Sequence, residues 1–356
     1  MARIELINLG HRYSGNGSYS LQPQSLVWQD GGAYALLGPS GCGKTTLLNI
    51  ISGLLIPSEG TVLFDGRDVT RLPTEKRNIA QVFQFPVIYD TMTVFDNLAF
   101  PLRNRKVAES EVRSRVQEIA EILDLTHELQ RRAAGLSAED KQRISLGRGL
   151  VRKDVAAVLF DEPLTVIDPH VKWLLRRQLK RIHQQLKLSL IYVTHDQVEA
   201  LTFADQVVLM YEGQVVQSGT PQELFETPAH TFVGHFIGSP GMNLLPCETS
   251  ADGIQLGGQA LPLDAERLAK LRAAGKPITL GVRPEFVRHA GTDEAALLAD
   301  VIKLEDLGTY KLLTAQVAGH RLCAKLGEHD RVEQDKVRLS LAPERMMFYA
   351  DGPRVA

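Results

Sequence analysis

Short apolar runs alternate with helical patterns along much of the chain. Three runs, Ala33–Leu37, Val155–Phe160 and Ser189–Thr194, have the length and composition of buried strands. Thr45–Ser52 has the pattern of a helix, and Gly60–Gly66 has that of a strand in a hairpin. Because strands that alternate with helices form parallel sheets, this pattern predicts an α/β fold.

The middle of the chain, from Gln84 to about Asp154, changes to helical periodicity. Between Val107 and Leu129, apolar residues recur on one face of a helix whose other faces are charged. These apolar residues are Val112, Val116, Ile119, Ile122 and Leu123. We therefore predict a helical subdomain over residues 84–154 of the α/β domain. Val171–Leu186 is a further amphipathic helix, and its basic residues are interpreted as a solvated face.

Gly and Pro cluster at Ile237–Gly241, where helical periodicity stops. We therefore expect a first domain over residues 1–237 and a second over residues 238–356. Short apolar strands separated by turns follow this boundary, a spacing typical of a small β-barrel of the OB kind. These strands are Ile254–Leu256, Ile278–Val282, Leu297–Leu304, Lys311–Val317 and Val337–Leu341.

The segment between the first buried strand and its helix has the pattern GxxxxGK[ST] of a phosphate-binding loop. Its glycines let successive N–H groups point at phosphate oxygens, at the positive end of the helix dipole. Lys44 is expected to reach the β- and γ-phosphates, and the Thr45 hydroxyl is a candidate Mg²⁺ ligand. A plain glycine-rich turn is the alternative, but the flanking strand and helix favour nucleotide binding. The predicted nucleotide-binding residues here are Gly38, Pro39, Ser40, Gly41, Cys42, Gly43, Lys44, Thr45 and Thr46.

The other two buried strands end in polar residues, Asp161-Glu162 after the second and His195-Asp196 after the third. Ligands gather at the carboxyl ends of parallel strands, so these side chains can share one site with the phosphate loop. Asp161 suits the Mg²⁺ shell, and Glu162 is placed to orient or deprotonate an attacking water. Taken alone, these residues also fit a solvated turn and a surface histidine. Together with the phosphate loop they favour catalysis.

Six segments resemble ATP-binding cassette (ABC) transporter ATPases in their order and spacing. They are Gly38–Thr45, Val82–Gln84 with Met92–Val94, Gly135–Ser137 with Gln142-Arg143, Asp161–Pro163, Asp168, and Thr194–Asp196. The resemblance implies that Gln84 lies in a mobile loop near Mg²⁺ and the attacking water. It also implies that Glu162 is the catalytic carboxylate and His195 the switch histidine near the γ-phosphate. Tyr13 resembles the aromatic residue that stacks on adenine, and Tyr19 is the alternative.

One segment departs from the family signature LSGGQ, because Leu136–Asp140 reads LSAED. In the family the signature faces the nucleotide held by the partner subunit, which places Ser137 near its γ-phosphate. Glu139 and Asp140 either bring negative charge close to a polyphosphate or point to solvent as ordinary first-turn residues of a helix. Both interpretations stay open. The loop that ends at Asp168 departs as well, with TVID in place of SNLD.

Composition and charge bound the class of protein. The 356 residues are enough for two domains with separate cores, and the net charge of −2 gives no general reason to bind nucleic acid or anionic lipid. Three cysteines do not form a disulfide framework, which suits a reducing compartment. No apolar run approaches the roughly 20 residues of a membrane helix, and no signal-peptide pattern begins the chain. Membrane association is therefore expected through partners.

Gly238–Asn243 and Gly281–Glu285 are similar to the C-terminal regulatory region of maltose-type sugar importer ATPases. The resemblance implies an ATPase subunit of an ABC importer for a sugar, a polyol such as glycerol, or a related solute, with ATP and Mg²⁺ as ligands. It implies two permease subunits, gripped near Phe85–Tyr89, and a second ATPase subunit at the cytoplasmic face of a bacterial inner membrane. An extracytoplasmic solute-binding protein would act indirectly.

Two other functions are compatible with the motifs. The LSAED segment suits a catalytically weakened partner in a heterodimeric ATPase pair, although Glu162 and His195 argue against complete loss of activity. A soluble ABC ATPase without a transport role would carry a second cassette or a coiled-coil insertion, and this chain has neither.

Overall fold

The computed structural model describes residues 1–14, 17–165, 167–290, 296–330, 332 and 335–356. Contacts between residues divide the chain into two compact units, Met1–Pro221 and Gln222–Ala356. Residues 222–236 thus group with the C-terminal unit, and the domain boundary at residue 237 stays a prediction. No helix among the described residues is long and apolar enough to cross a membrane.

The first unit contains two sheets. Its strands are β1 (Ile4–His11), β2 (Leu21–Trp28), β3 (Ala33–Leu37), β4 (Glu59–Phe64), β5 (Arg67–Asp68), β6 (Ala80–Val82), β7 (Val158–Asp161), β8 (Leu190–Thr194), β9 (Gln206–Tyr211) and β10 (Gln214–Gly219). A four-stranded antiparallel sheet has the order β2-β1-β4-β5, and a six-stranded sheet has the order β10-β9-β3-β8-β7-β6. In the larger sheet only β10 runs antiparallel to its neighbour. The three predicted buried strands are therefore the adjacent strands β3, β8 and β7.

Every residue of β3 and β8 is buried, as expected for central strands covered on both faces. A helix, α1 (Lys44–Ser52), shares one core with residues of both sheets. Arg77 is also buried and donates hydrogen bonds to the carbonyl oxygens of Ile50 and Ile51, at the negative end of α1. This packing holds α1, and the phosphate loop before it, at the carboxyl end of β3.

The remaining helices of the first unit are α2 (Thr74–Arg77), α3 (Val94–Arg103), α4 (Glu109–Ile122), α5 (Ala138–Leu150), α6 (Pro169–Leu186) and α7 (Gln197–Phe203). Helices α3, α4 and α5 pack on one another and form the helical part of the unit. Val112, Val116 and Ile119 are buried on α4, as the apolar period predicts. The helix ends before Leu129 because the chain turns at Asp124, which has a left-handed φ of 57°.

The second unit contains two five-stranded antiparallel sheets around one core. Its elements are α8 (Pro221–Glu226), α9 (Thr231–Phe236), β11 (Asn243–Thr249), β12 (Gly253–Leu256), β13 (Gln259–Pro262), α10 (Ala265–Ala274), β14 (Ile278–Val282), β15 (Val287–His289), β16 (Leu297–Asp306), β17 (Lys311–Val317), β18 (His320–Leu326), β19 (Lys336–Leu341) and β20 (Met347–Ala350). The sheet orders are β13-β12-β11-β14-β20 and β15-β19-β16-β17-β18. All five strands predicted here are present, as β12, β14, β16, β17 and β19.

Arg283, in the Gly281–Glu285 motif, is fully buried within this unit. Its guanidinium donates to the carbonyl oxygens of Phe225 and Ile237, at the ends of α8 and α9. Desolvation lowers the pKa of Arg283 to about 10, and the carbonyl oxygens at the two helix ends offset part of that cost. This arginine therefore anchors the short helices to the β-rich core.

Candidate functional site

The loop between β3 and α1 has a backbone that requires glycine. Gly43 caps α1 with a φ of 99°, and a Cβ atom there would lie 2.7 Å from the carbonyl oxygen of Ser20. A Cβ atom on Gly38 would lie 2.3 Å from the carbonyl oxygen of Met210. Because both approaches are too close for any side chain, the loop can curl tightly around a small anion.

Lys44 begins α1 and is almost entirely buried in the loop. Its Nζ donates to the carbonyl oxygens of Gly38 and Pro39, at 2.8 and 2.9 Å, and lies 3.8 Å from the Sγ of Cys42. The described residues place no carboxylate in contact with this ammonium group. The direct partners of this cation are neutral carbonyl oxygens, which favours a phosphate group as an additional, charged partner.

Asp161, at the end of β7, faces the same loop. Its Oδ1 accepts a 3.4 Å hydrogen bond from the Thr45 hydroxyl. Burial raises the pKa of Asp161, and the neighbouring Glu162 carboxylate raises it further, whereas Thr45 and Lys44 oppose both effects. A half-buried carboxylate next to a hydroxyl fits a hard cation that ligates oxygen, so the pair suits Mg²⁺.

Glu162 and His195 meet across the ends of β7 and β8. Glu162 Oε2 lies 3.1 Å from His195 Nδ1 and accepts a 3.3 Å hydrogen bond from the Thr165 hydroxyl. Glu162 has a left-handed φ of 46°, which is strained for a residue with a side chain. Register explains the meeting, because Asp161 pairs with Val193 in the sheet. The strand register and the left-handed backbone of Glu162 together place its carboxylate beside the phosphate loop.

A cavity of about 560 Å³ opens over the phosphate loop. Eight predicted residues line it: Tyr13, Ser40, Gly41, Gly43, Lys44, Thr45, Thr46 and Glu162. The Tyr13 ring is well exposed, and its hydroxyl lies 3.0 Å from the Thr46 hydroxyl. Tyr19 also lines the cavity, but the Arg12 guanidinium covers its ring at 3.7 Å from the centroid. Tyr13 is therefore the more available stacking surface.

Sequence reasoning missed three residues that line the cavity, Ser20, Glu212 and Gly213. Glu212 and Gly213 form the two-residue turn between β9 and β10, and both have positive φ values. The chain carries the corresponding signal, since a glutamate-glycine pair separates two alternating apolar runs. The Gly213 carbonyl accepts the N–H of Gln22, which brings the turn next to the segment containing Ser20.

The other eight predicted residues do not line this cavity. Five of them lie in the phosphate loop or at the strand ends beside it: Gly38, Pro39, Cys42, Asp161 and His195. The remaining three are Gln84, Ser137 and Asp168. Gln84 is partly buried in the segment after β6, and Asp168 is exposed before α6. Val166, in the loop that ends at Asp168, lies outside the described residues. Binding of a second subunit or movement of a loop would be needed to bring Gln84, Ser137 and Asp168 to a nucleotide. Their roles therefore stay predictions.

The polar residues of the LSAED segment bond to one another and to their own helix. Ser137 caps α5: its Oγ accepts the Asp140 N–H at 3.1 Å and donates to Asp140 Oδ2 at 2.7 Å. Glu139 pairs with Arg143 one turn along the helix. Both acids therefore have partners within their own helix in the isolated chain, and the Ser137 hydroxyl proton is already engaged.

These features define a P-loop nucleotide-binding protein: a phosphate loop after a central strand, an acidic pair on the next strand but one, and a histidine between them. Comparison with known sequences agrees. The family described as ABC transporter matches residues 21–165, and the MalK OB fold domain matches residues 238–287. The chain belongs to the ATP-binding subunits of ABC transporters, so it is an ATPase, and the predicted P-loop core and OB-like second domain are confirmed.

Several relatives cover nearly the whole chain. A protein of Jannaschia sp. (strain CCS1) named sn-glycerol-3-phosphate import ATP-binding protein UgpC is 38% identical over 99% of both chains. The protein of the same name from Pectobacterium atrosepticum is 39% identical over 92% of both chains. Among solved structures, cbiO1 from Clostridium perfringens, part of the ABC transporter complex cbiONQ, matches with a TM-score of 0.58 and 27% identity. That match covers 63% of this chain and 90% of cbiO1.

Proposed function

We propose that this chain is the ATP-hydrolysing subunit of a bacterial importer for a sugar, a polyol such as glycerol, or a related small solute. The observation that carries the chemistry is the convergence of Lys44, Asp161, Glu162 and His195 at one phosphate loop. The importer class is supported by the relatives named for import of sn-glycerol-3-phosphate. Two permease subunits would anchor the chain at the cytoplasmic face of the inner membrane.

The chain's own residues divide the reaction between them. The phosphate loop and Lys44 bind the β- and γ-phosphates and hold the γ-phosphorus at the end of β7. Glu162 orients the attacking water and accepts its proton. His195, held against Glu162 Oε2, approaches the γ-phosphate and keeps the carboxylate aimed at the water. Tyr13 stacks on the adenine at the other end of the cavity.

Mg²⁺ is assigned to the Thr45 hydroxyl and the Asp161 carboxylate. The described residues contain no cluster of three or more His, Cys, Asp or Glu that could hold a metal by itself. Such a sparse protein shell suits Mg²⁺, which takes its other oxygen ligands from water and substrate phosphates. When bound, the ion neutralises charge that develops on the β- and γ-phosphates. Gln84 is proposed to join this shell on closure.

The raised pKa of Asp161 makes a prediction about stability. A carboxyl whose pKa is higher in the folded chain than in the unfolded chain stabilises the fold when protonated, and this contribution is lost as pH rises through the folded pKa. The ionised Asp161 therefore destabilises the nucleotide-free chain at pH 7. We expect Asp161→Asn to raise the melting temperature at pH 7 and to abolish Mg²⁺-dependent hydrolysis.

Melting temperatures measured over a range of pH distinguish the effect of the Asp161 charge from a stabilisation that does not depend on its ionisation. The stabilisation by Asp161→Asn should shrink toward acidic pH, where the wild-type carboxyl is itself neutral. Asp252→Asn, at an exposed turn of the second unit, is the matched control and should change neither property. A melting temperature at pH 7 that is equal to or below that of the wild type would contradict the assignment.

The engaged signature supports a second proposal, that the chain works beside a different ATPase subunit. In a head-to-tail dimer each ATP lies between the phosphate loop of one chain and the signature of the other. A homodimer would place the Ser137–Asp140 arrangement in both sites. A heterodimer would confine it to one site. The site built on Lys44, Glu162 and His195 could then be completed by a regular partner signature and hydrolyse ATP.

Mass spectrometry of the assembly purified from its native membrane tests this proposal. We expect one copy of this chain, one copy of a different ATPase and two permease subunits, together with glycerol-stimulated hydrolysis. Two copies of this chain with full transport activity would exclude the heterodimer. An assembly without permeases would exclude the transport function itself.

Restoring glycines in the signature provides the control. Ala138→Gly with Glu139→Gly should raise hydrolysis in any assembly where this signature limits the reaction, because the Glu139 carboxylate and two Cβ atoms are removed. Unchanged turnover would indicate that Glu139 stays with Arg143 and never faces the nucleotide.

A further inference from the structure

Glu199 is a buried carboxylate that the reaction described above does not use. It lies in the first turn of α7, directly behind the loop that carries His195, and is only 3% exposed. Among the described residues it is the only aspartate or glutamate that is fully buried. Burying a carboxylate is costly unless every oxygen is bonded, so its contacts indicate what the residue holds in place.

The contacts of Glu199 join three elements. Its Oε2 accepts hydrogen bonds from the hydroxyl groups of Thr194 and Tyr192, at 2.7 and 3.1 Å. Its Oε1 lies 3.6 Å from the Nζ of Lys172, in the first turn of α6. Thr194 and Tyr192 belong to β8, so the carboxylate connects the end of this strand to the beginnings of α6 and α7.

The position of Glu199 differs from that of the acidic residue in an ordinary capping box. Asp196 caps α7 by accepting the N–H groups of Val198 and Glu199, at 2.7 and 3.2 Å. An acidic residue three positions after such a cap normally reaches back to the N–H of the cap residue, which would leave it near solvent. Here Thr194 Oγ1 accepts the Asp196 N–H instead, at 3.0 Å. The Glu199 carboxylate therefore does not bind the Asp196 N–H and instead accepts the Thr194 hydroxyl in the interior.

This exchange fixes the peptide that carries the histidine. The Thr194 hydroxyl donates its hydrogen bond to Glu199, which orients its oxygen to accept the Asp196 N–H. That N–H belongs to the peptide bond between His195 and Asp196, so its direction sets where the histidine backbone points. The His195 ring itself is half exposed and has Glu162 Oε2 as its hydrogen-bond partner. Its placement therefore depends on the backbone more than on packing.

Lys172 extends the connection to the start of α6. Its N–H donates to the Asp168 carbonyl oxygen at 2.9 Å, the i to i−4 bond that begins this helix. Its ammonium group places a compensating charge 3.6 Å from the buried carboxylate.

We infer that Glu199 is a positioning residue that fixes the peptide of the switch histidine through the Thr194 hydroxyl, with Lys172 as the counter-charge that holds the carboxylate in place. This inference rests on the proposed role of His195. The carboxylate touches no substrate atom. It sets the geometry from which His195 meets Glu162 and the γ-phosphate.

Three variants test this positioning role in the full transporter assembly, with ATP hydrolysis, ATP affinity and melting temperature measured for each. Glu199→Leu removes the oxygen that accepts the Thr194 hydroxyl, and Thr194→Val removes that hydroxyl together with the acceptor of the Asp196 N–H. We expect each to lower kcat about tenfold or more and to leave the KM for ATP within about twofold, since misplacement affects the reaction more than binding. Tyr192→Phe removes a different hydrogen bond to the same carboxylate, so it should lower the melting temperature and keep kcat near wild type.

The double variant Glu199→Leu with Thr194→Val should be no slower than the slower single variant, because both changes interrupt one path. Additive losses, or a loss of kcat in Tyr192→Phe equal to that in Glu199→Leu, would show that the network only stabilises the fold and would overturn the inference. A wild-type kcat in Glu199→Leu would overturn it as well. Failure of the proposed function is distinguishable, because the wild-type assembly would then hydrolyse no ATP or would retain hydrolysis in His195→Ala.

Discussion

Replacing Glu162 by glutamine is expected to leave ATP binding intact and to lower hydrolysis by about 10² to 10⁴-fold, the usual contribution of a general base. The amide keeps the size of the side chain and can still accept the hydrogen bonds from His195 and Thr165. It cannot accept the proton of the attacking water. The measurements are steady-state hydrolysis and an equilibrium titration with ATP.

The left-handed backbone at this position provides a second variant. Glycine adopts a φ of 46° without strain, so Glu162→Gly should lose hydrolysis as fully as glutamine while the nucleotide-free chain becomes no less stable. Glu121→Gln, at an exposed position on α4, is the matched control and should retain wild-type turnover. Near-normal hydrolysis in Glu162→Gln would remove this residue from the catalytic role.

Replacing Lys44 by alanine is expected to weaken ATP binding roughly 10- to 100-fold, in line with the loss of charge-assisted hydrogen bonds. In the nucleotide-free chain the ammonium group is held by two loop carbonyls. Binding replaces or extends these contacts with phosphate oxygens, and alanine offers no cation at all. Both the affinity in a titration and the turnover should fall.

A second lysine variant checks that the effect is local. Lys76→Ala, in the exposed part of α2, removes the same charge away from the loop and should leave ATP affinity unchanged. The melting temperature of Lys44→Ala should be measured without nucleotide, because an unfolded loop would mimic lost binding. Wild-type ATP affinity in a folded Lys44→Ala chain would contradict the assignment of the phosphate site.

The sequence predicts those parts of the site whose structure depends on local residue types. The phosphate loop needs glycine at its tight approaches, and the three central strands are apolar throughout because both faces are covered. Parallel pairing then brings Asp161, Glu162 and His195 to the same edge. These residues could be assigned without coordinates because strand direction alone fixes which ends meet.

The parts that escaped prediction depend on contacts distant in sequence. The wall of the cavity at Glu212 and Gly213 arises because a hairpin turn packs beside a segment almost two hundred residues earlier, which no local pattern records. The strand β11 includes Pro246, which weakens its apolar signal, and helix α10 was missed although Asp264 caps it. Glu199 stands three residues after the helix cap Asp196, where an acidic residue is ordinarily near solvent. Its burial follows only from the positions of Thr194 and Tyr192.

The hydrogen bond between Ser137 and Asp140 has a consequence for the order of events in a dimer. A serine hydroxyl has one proton, and here a carboxylate already accepts it at 2.7 Å. A γ-phosphate closed over this signature exchanges one charged acceptor for another, so closure gains little net free energy from the serine. A site completed by a regular signature gains the full bond. In the proposed heterodimer the two sites would therefore hold their nucleotides with unequal strength, and the site that faces Ser137 would open before the other.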